Sequence, residues 1–166
     1  MEPSIFWEDM QPGSVRELGT VSVTAEEIKE FATKYDPQPF HLDEEAARQS
    51  HFGGLVASGW QTAVLAMRLT VDNFLRYTPS QGSPGLESLR WLKPVFPGDQ
   101  LTLRHTTLEA RGLRSRPATG LVRSRWELFN QDGAKVLEME GYGMFGRRHP
   151  ASAQELAQLE AQRGAG

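Results

Sequence analysis

Apolar residues recur along this chain with two different periods. From Thr24 to Tyr35, the residues Ile28, Phe31, Ala32 and Tyr35 fall at helical spacing on one face, which predicts an amphipathic helix. Thr24, followed three residues later by Glu27, has the capping-box spacing that satisfies two orphan backbone N–H groups reciprocally. The helix is expected to stop near Asp36, because a residue before proline is pushed out of the α region. Pro39 restricts Gln38 in the same way, so the stretch from Asp36 to His41 reads as stiff and non-helical. Asp43 is expected to cap a short helix through Arg48, and Phe52-Gly53-Gly54 marks a loop. A longer helix is predicted from about Gly59 to Leu75. Trp60, Val64, Met67, Val71 and Phe74 form its stripe, widened by Leu65, Ala66 and Leu69. A helix apolar over so much of its circumference is normally buried. At about 1.5 Å per residue it would run roughly 25 Å, enough to lie across a sheet.

The second period is that of strands. Residues 13–23 read as a first strand with Val21 and Val23 on one face. After the turn-forming run 78–85, strands are expected over Leu86 to Val95, Leu101 to Ala110, Thr119 to Phe129 and Lys135 to Phe145. Turns at Pro97-Gly98-Asp99 and Asn130-Gln131-Asp132-Gly133 separate the later ones. Consecutive antiparallel strands after one buried helix predict an α+β domain, its sheet curved around that helix. Residues 1–150 read as this one domain. Residues 151–166 form a tail, helical or frayed, with Ser152 and Glu155 as its cap and only Leu156 and Leu159 to dock it.

Composition narrows the function classes. The chain has 166 residues, a formal net charge of -3 and no cysteine. The length suits one domain, and the charge gives no reason to expect a nucleic-acid partner. Without cysteine there are no disulfides and no thiolate nucleophiles or metal ligands, which fits a reducing, cytoplasmic location. The amino end lacks a basic region followed by an apolar run, so no secretory signal is expected. No apolar run approaches the roughly 20 residues of a membrane span, and Gly164-Ala165-Gly166 is not a peroxisomal address.

Two stretches carry candidate chemistry. In Tyr35-Asp36-Pro37-Gln38-Pro39-Phe40-His41, a carboxylate and an imidazole flank a segment stiffened by two prolines. Such a pair can share a water and shuttle its protons. It can equally be a turn cap and a satisfied buried histidine, and spacing alone leaves both readings open. In Leu55-Val56-Ala57-Ser58-Gly59-Trp60, a glycine enters the long helix where backbone N–H groups have no internal partner. Its N–H could hold a carbonyl oxygen and the negative charge that develops on it, or the glycine could be small because the sheet crowds it. His51, His105 and His149 show no metal-ligand spacing, so no metal is expected. Arg104, Arg111, Arg114, Arg116, Arg123 and Arg125 enrich one strand pair in positive charge, to meet phosphates or simply to line a solvated edge.

The run from Tyr35 to His41, with Ala47 six residues beyond the histidine, resembles the signature of MaoC-like, (R)-specific enoyl-CoA hydratases. In that family an aspartate and a histidine five apart are the catalytic pair. The family's oxyanion-hole glycine follows the aspartate by 23 positions, at the head of the central helix. Asp36, His41 and Gly59 stand at those positions. The stretch Trp91 to Asp99 resembles the strand and turn that follow the helix, and the likeness runs from about Trp7 to Phe145. Two positions depart from the pattern: Gln38 replaces the family's asparagine, and Met67 replaces a serine that some members carry eight residues after the glycine.

The resemblance implies a hot-dog fold with an antiparallel sheet wrapped around a long central helix. It implies reversible addition of water to a trans-2-enoyl-CoA, giving the (R)-3-hydroxyacyl-CoA. Coenzyme A is then part of the substrate, with no cofactor. A homodimer, or a higher assembly of dimers, is expected, because an isolated hot-dog sheet leaves an edge uncovered. A thioesterase on the same fold is disfavoured: such enzymes usually carry their carboxylate on or near the central helix, and none occurs between Gly59 and Val71. A non-catalytic domain that binds acyl thioesters is kept open by Gln38 and Met67.

Overall fold

The structure, a computed structural model, describes residues 2–163. Five strands form one antiparallel sheet: β1 (Val15–Ser22), β2 (Gly85–Trp91), β3 (Gln100–Leu113), β4 (Arg116–Phe129) and β5 (Lys135–Gly146), in the order β1-β3-β4-β5-β2. The helices are α1 (Ala25–Tyr35), α2 (Pro39–Leu42), α3 (Glu44–Gln49), α4 (Gly59–Asn73) and α5 (Ala153–Arg163). The α+β arrangement read from the sequence is present. Alternation on β3 sends Leu101, Leu103, His105 and Thr107 to the inner face. Leu128 on β4 and Leu137 and Met139 on β5 join them in the core.

Local signals act as their chemistry dictates. The Thr24 backbone N–H donates to Glu27 at 3.0 Å, and the Glu27 N–H donates back to Thr24 Oγ1 at 3.2 Å. Asp43 caps α3 through the Ala46 N–H at 2.7 Å. Ser152 and Glu155 cap α5, which is helical and is tied to the sheet by Arg114–Glu160 and Arg147–Glu155 ion pairs. Gly164, Ala165 and Gly166 lie outside the described residues.

Three expectations need correction. The segment between Asp36 and His41 is not wholly extended, because Pro39 opens the helical turn α2 with His41 inside it. Proline suits the first position of a helix, where its missing N–H would have no partner. Strand β2 ends at Trp91 rather than Val95, where the chain turns off the sheet ahead of Pro94. The central helix is also oriented opposite to its apolar stripe. Gln61, Thr62, Ala66, Leu69 and Thr70 are its buried residues, while Trp60 (59%), Val64 (55%) and Met67 (56%) are exposed. Small residues and threonines let the helix approach the sheet closely. The buried hydroxyl of Thr70 is satisfied within the helix, donating to the Ala66 carbonyl at 2.7 Å, so its burial carries little penalty.

The carboxyl end of α4 is docked on β1 at an irregularity between Glu17 and Thr20. Gly19 sits there with φ +91°, a backbone conformation that side chains resist. Asn73 Nδ2 donates to the neighbouring Leu18 carbonyl at 2.8 Å. This contact fixes one end of α4, and the site lies at the other.

Candidate active site

The cleft at the amino end of α4 has a volume of about 280 Å³ and is bordered by Asp36, His41 and Gly59 together. The sequence spacing is therefore converted into convergence by three local devices. Helix α1 ends on Asp36, whose N–H closes the last turn on the Ala32 carbonyl at 2.9 Å. Gln38 is extended (φ -87°, ψ 144°), and Pro39 restarts a helical turn. That turn swings the His41 ring back towards Asp36.

His41 is buried (5% exposed) and held at both ring nitrogens. Nδ1 lies 2.7 Å from the Val56 carbonyl. A carbonyl only accepts, so Nδ1 carries a proton and donates it there. Nε2 then faces Asp36 Oδ2 at 3.2 Å. The two groups thus face each other at hydrogen-bond distance, an arrangement that can serve as an acid–base pair. Gln38 Nε2 donates to Asp36 Oδ1 at 2.7 Å, so the residue that departs from the family pattern still pins the carboxylate. Burial pushes Asp36 towards the neutral form. Hydrogen bonds from Ser58 and Gln38, with the neighbouring His41, outweigh that push and hold its carboxyl below the ordinary carboxylate value.

Gly59 is the first residue of α4, behind the N-cap Ser58. Among the described residues, no acceptor takes the Gly59 N–H. It stands at the positive end of the helix dipole, in the wall of the cleft. The indole of Trp91 lies against the glycine: a Cβ built there would stand 2.6 Å from the ring. The sheet does crowd this position, through a β2 side chain, and the crowding and the free N–H occur together.

Sequence reasoning missed four contributors. The Val56 carbonyl orients His41, and Ser58, fully buried, is the second hydrogen-bond donor to Asp36. Ser58 was discoverable as a serine directly before a helix, the N-cap signature. Trp91 and Lys93 also line the cleft; they lie in the stretch that resembles the family's strand and turn, but nothing local in it places them at the site. Met67 is not among the cleft-lining residues and faces a second cavity instead.

The other candidates take structural roles. Arg104 pairs with Glu127 at 3.1 Å. Arg123 pairs with Glu87, Glu109 and Glu140 at 2.8–3.1 Å, and Arg125 pairs with Glu140 at 2.6 Å. These are cross-strand ion pairs on the sheet, so the solvated-edge reading holds for them. Among the described residues no cluster of three or more His, Asp or Glu is arranged to hold a metal ion. No helix in them is long and apolar enough to cross a membrane.

Known proteins share this architecture. A MaoC-like dehydratase of known crystal structure from Rhodospirillum rubrum is 41% identical, with a TM-score of 0.81, and the match covers 88% of this chain and 99% of that one. The unliganded (R)-hydratase PhaJ1 of Pseudomonas aeruginosa is 26% identical with a TM-score of 0.70, over 87% of each chain. A conserved hypothetical protein from Mycobacterium tuberculosis with a double hot-dog fold matches over 90% of this chain and 45% of its own, with a TM-score of 0.75 and 17% identity. The fold is therefore the hot-dog fold. The family described as the MaoC like domain matches residues 9–124, and with that coverage the chain belongs to the MaoC-like dehydratase family.

Proposed function

We propose that this protein adds water reversibly to a trans-2-enoyl-CoA, giving the (R)-3-hydroxyacyl-CoA, with Asp36 and His41 as the catalytic pair and the Gly59 N–H as the oxyanion donor. The reading is carried by one observation: the 3.2 Å Nε2–Oδ2 contact stands in the same cleft as the free N–H at the tip of α4. The name of the similar (R)-hydratase supports the reaction class and its stereochemistry.

In the hydration direction the thioester carbonyl accepts a hydrogen bond from Gly59. This polarises the double bond and stabilises the enolate oxygen that forms. One water, held by Asp36 and His41, gives its hydroxyl to the β-carbon and a proton to the pair. The pair returns a proton to the α-carbon, so atoms and charge balance and the pair ends as it began. The chemistry calls for no cofactor, since coenzyme A is part of the substrate.

The assembly we propose is a cytoplasmic homodimer. The exposed stripe Trp60, Val64, Met67 and Val71 on α4, and Leu86 and Trp91 on the edge strand β2, supply the apolar surface for it. An uncovered edge strand is otherwise a liability.

Crotonyl-CoA tests the activity directly. A hydratase removes the enoyl absorbance without releasing free thiol, and chiral analysis of the product gives the (R) alcohol. Release of thiol would indicate a thioesterase, and binding without turnover would indicate a non-catalytic acyl-thioester domain.

A further inference from the structure

Beside the cleft lies a second cavity of about 460 Å³, bordered by the half-exposed Trp60, Val64 and Met67 of α4 and by residues of β2, β3, β4 and β5. Trp60 borders both spaces, so the two are neighbours at the first turn of α4. The cavity's walls run from Trp60 to Phe74 along α4, roughly 20 Å at the rise of an α-helix. The lining is almost wholly apolar.

Thr70, Ser80, Ser83, Ser124 and Tyr142 also border the cavity, but among the described lining residues His105 is the one with a buried side-chain nitrogen or oxygen that has no partner. His105 is 1% exposed, its Nδ1 has no hydrogen-bond partner, and it forms part of the cavity wall. The rings of Phe74 and Trp126 flank it at 5.1 and 5.4 Å. The hydroxyl of Thr107, two residues along the same face of β3, is also buried and unpartnered. Leaving a buried polar atom unpaired is costly, and an apolar residue of similar volume would fill this position without that cost.

We propose that the cavity receives the acyl chain of the thioester substrate and that His105 hydrogen-bonds an uncharged oxygen, hydroxyl or keto, carried on the far part of that chain. This rests on the hydratase reading above. Burial and the positive charge of Arg16 keep the imidazole neutral. A neutral imidazole offers one N–H and one lone pair, the complement of a hydroxyl. Arg16 is paired with His105 in the β1–β3 register, but its guanidinium stacks on the Phe74 ring at 5.1 Å and is not part of the cavity wall. A carboxylate in the cavity therefore has no cation among the wall residues to pair with.

The test is calorimetric titration of the full protein with saturated, unreactive acyl-CoA esters of matched chain length. These end in a methyl, a hydroxyl or a carboxylate. The hydroxylated ester is expected to bind about tenfold tighter than the methyl ester, and His105→Leu to abolish the difference with its circular dichroism spectrum unchanged. Equal or tighter binding of the methyl or carboxylate ester by the unmodified protein overturns the proposal. So does a preference that survives His105→Leu, or no binding of any ester. Because the first comparison uses the unmodified protein, poor folding of the variant does not decide it. A protein that shows the hydroxyl preference yet never hydrates crotonyl-CoA refutes the hydratase reading and leaves the recognition by His105 standing.

Discussion

The indole N–H of Trp91 donates to the Gly59 carbonyl at 2.7 Å, tying the edge strand β2 to the first turn of α4. A side chain at position 59 would have to displace that ring, moving the N–H that borders the cleft. Gly59→Ala is therefore expected to lower kcat by about 10²–10³, the usual loss on removing an oxyanion donor. Trp91→Phe keeps an aromatic side chain but removes the pyrrole half of the indole that lies against Gly59, and the hydrogen bond with it. It is expected to cost at least roughly fivefold in kcat with KM little changed, since one neutral hydrogen bond is worth about 1 kcal/mol. Steady-state kinetics on crotonyl-CoA, beside a circular dichroism spectrum, check both.

Asp36 and His41 are in direct contact at 3.2 Å, so their substitutions are not expected to add. Asp36→Asn and His41→Gln should each reduce turnover by more than about 10². The double variant should be no worse than the more damaged single one. A multiplicative double loss in the same assay would show the two acting independently.

The acid limb of kcat/KM should lie below the ordinary carboxylate range, because Ser58, Gln38 and His41 hold Asp36 ionised against its burial. Removing a donor raises its pKa. Gln38→Ala or Ser58→Ala is thus expected to move the acid limb upward, with the plateau at neutral pH less affected. A pH–rate profile in which the limb stays in place would separate these donors from the titration.

His105 predicts a pH dependence of stability. Its pKa falls from 6.5 to about 4, from burial first and the Arg16 charge second. Between those values the unfolded chain binds a proton that the folded one does not. Stability is therefore fully present above about 6.5 and declines as the pH falls towards 4, by on the order of 3 kcal/mol. Urea unfolding at several pH values should show this decline, and His105→Phe should flatten it.

The apolar stripe of α4 gives the prediction for assembly. A charge at Val64 or Met67, both more than half exposed in the single chain, would be buried without a partner in the proposed dimer. Val64→Glu or Met67→Glu is expected to shift the light-scattering mass towards a monomer. In the unmodified protein the melting temperature should rise with protein concentration.

Much of the architecture was legible because it is locally encoded. Capping at Thr24, Asp43 and Ser152, the hairpin turn at Asn130 to Gly133 and the alternation on β3 and β5 each depend on near neighbours in the chain. The site was legible as three residues, Asp36, His41 and Gly59, at the spacing of a known pattern, and all three border one cleft. What escaped was set across space. The buried side of α4 could not be read from its stripe, because threonines that satisfy themselves within the helix pack inward as readily as leucines. Trp91 meets Gly59 only through the closure of β2 over α4, across 32 positions of sequence. The helical turn at His41 was hidden because Pro39 reads both as a restriction on Gln38 and as the opening residue of α2.

Trp60 stands in the walls of two compartments at once, and this has a practical consequence for redesign. Under the proposed reaction, any replacement of that indole alters the surroundings of the reacting double bond together with those of the substrate's tail. Met139, buried on β5, borders the larger compartment and not the cleft, and its unbranched side chain makes it an adaptable filler. Remodelling for longer, shorter or bulkier tails should start from Met139 and leave the tryptophan alone.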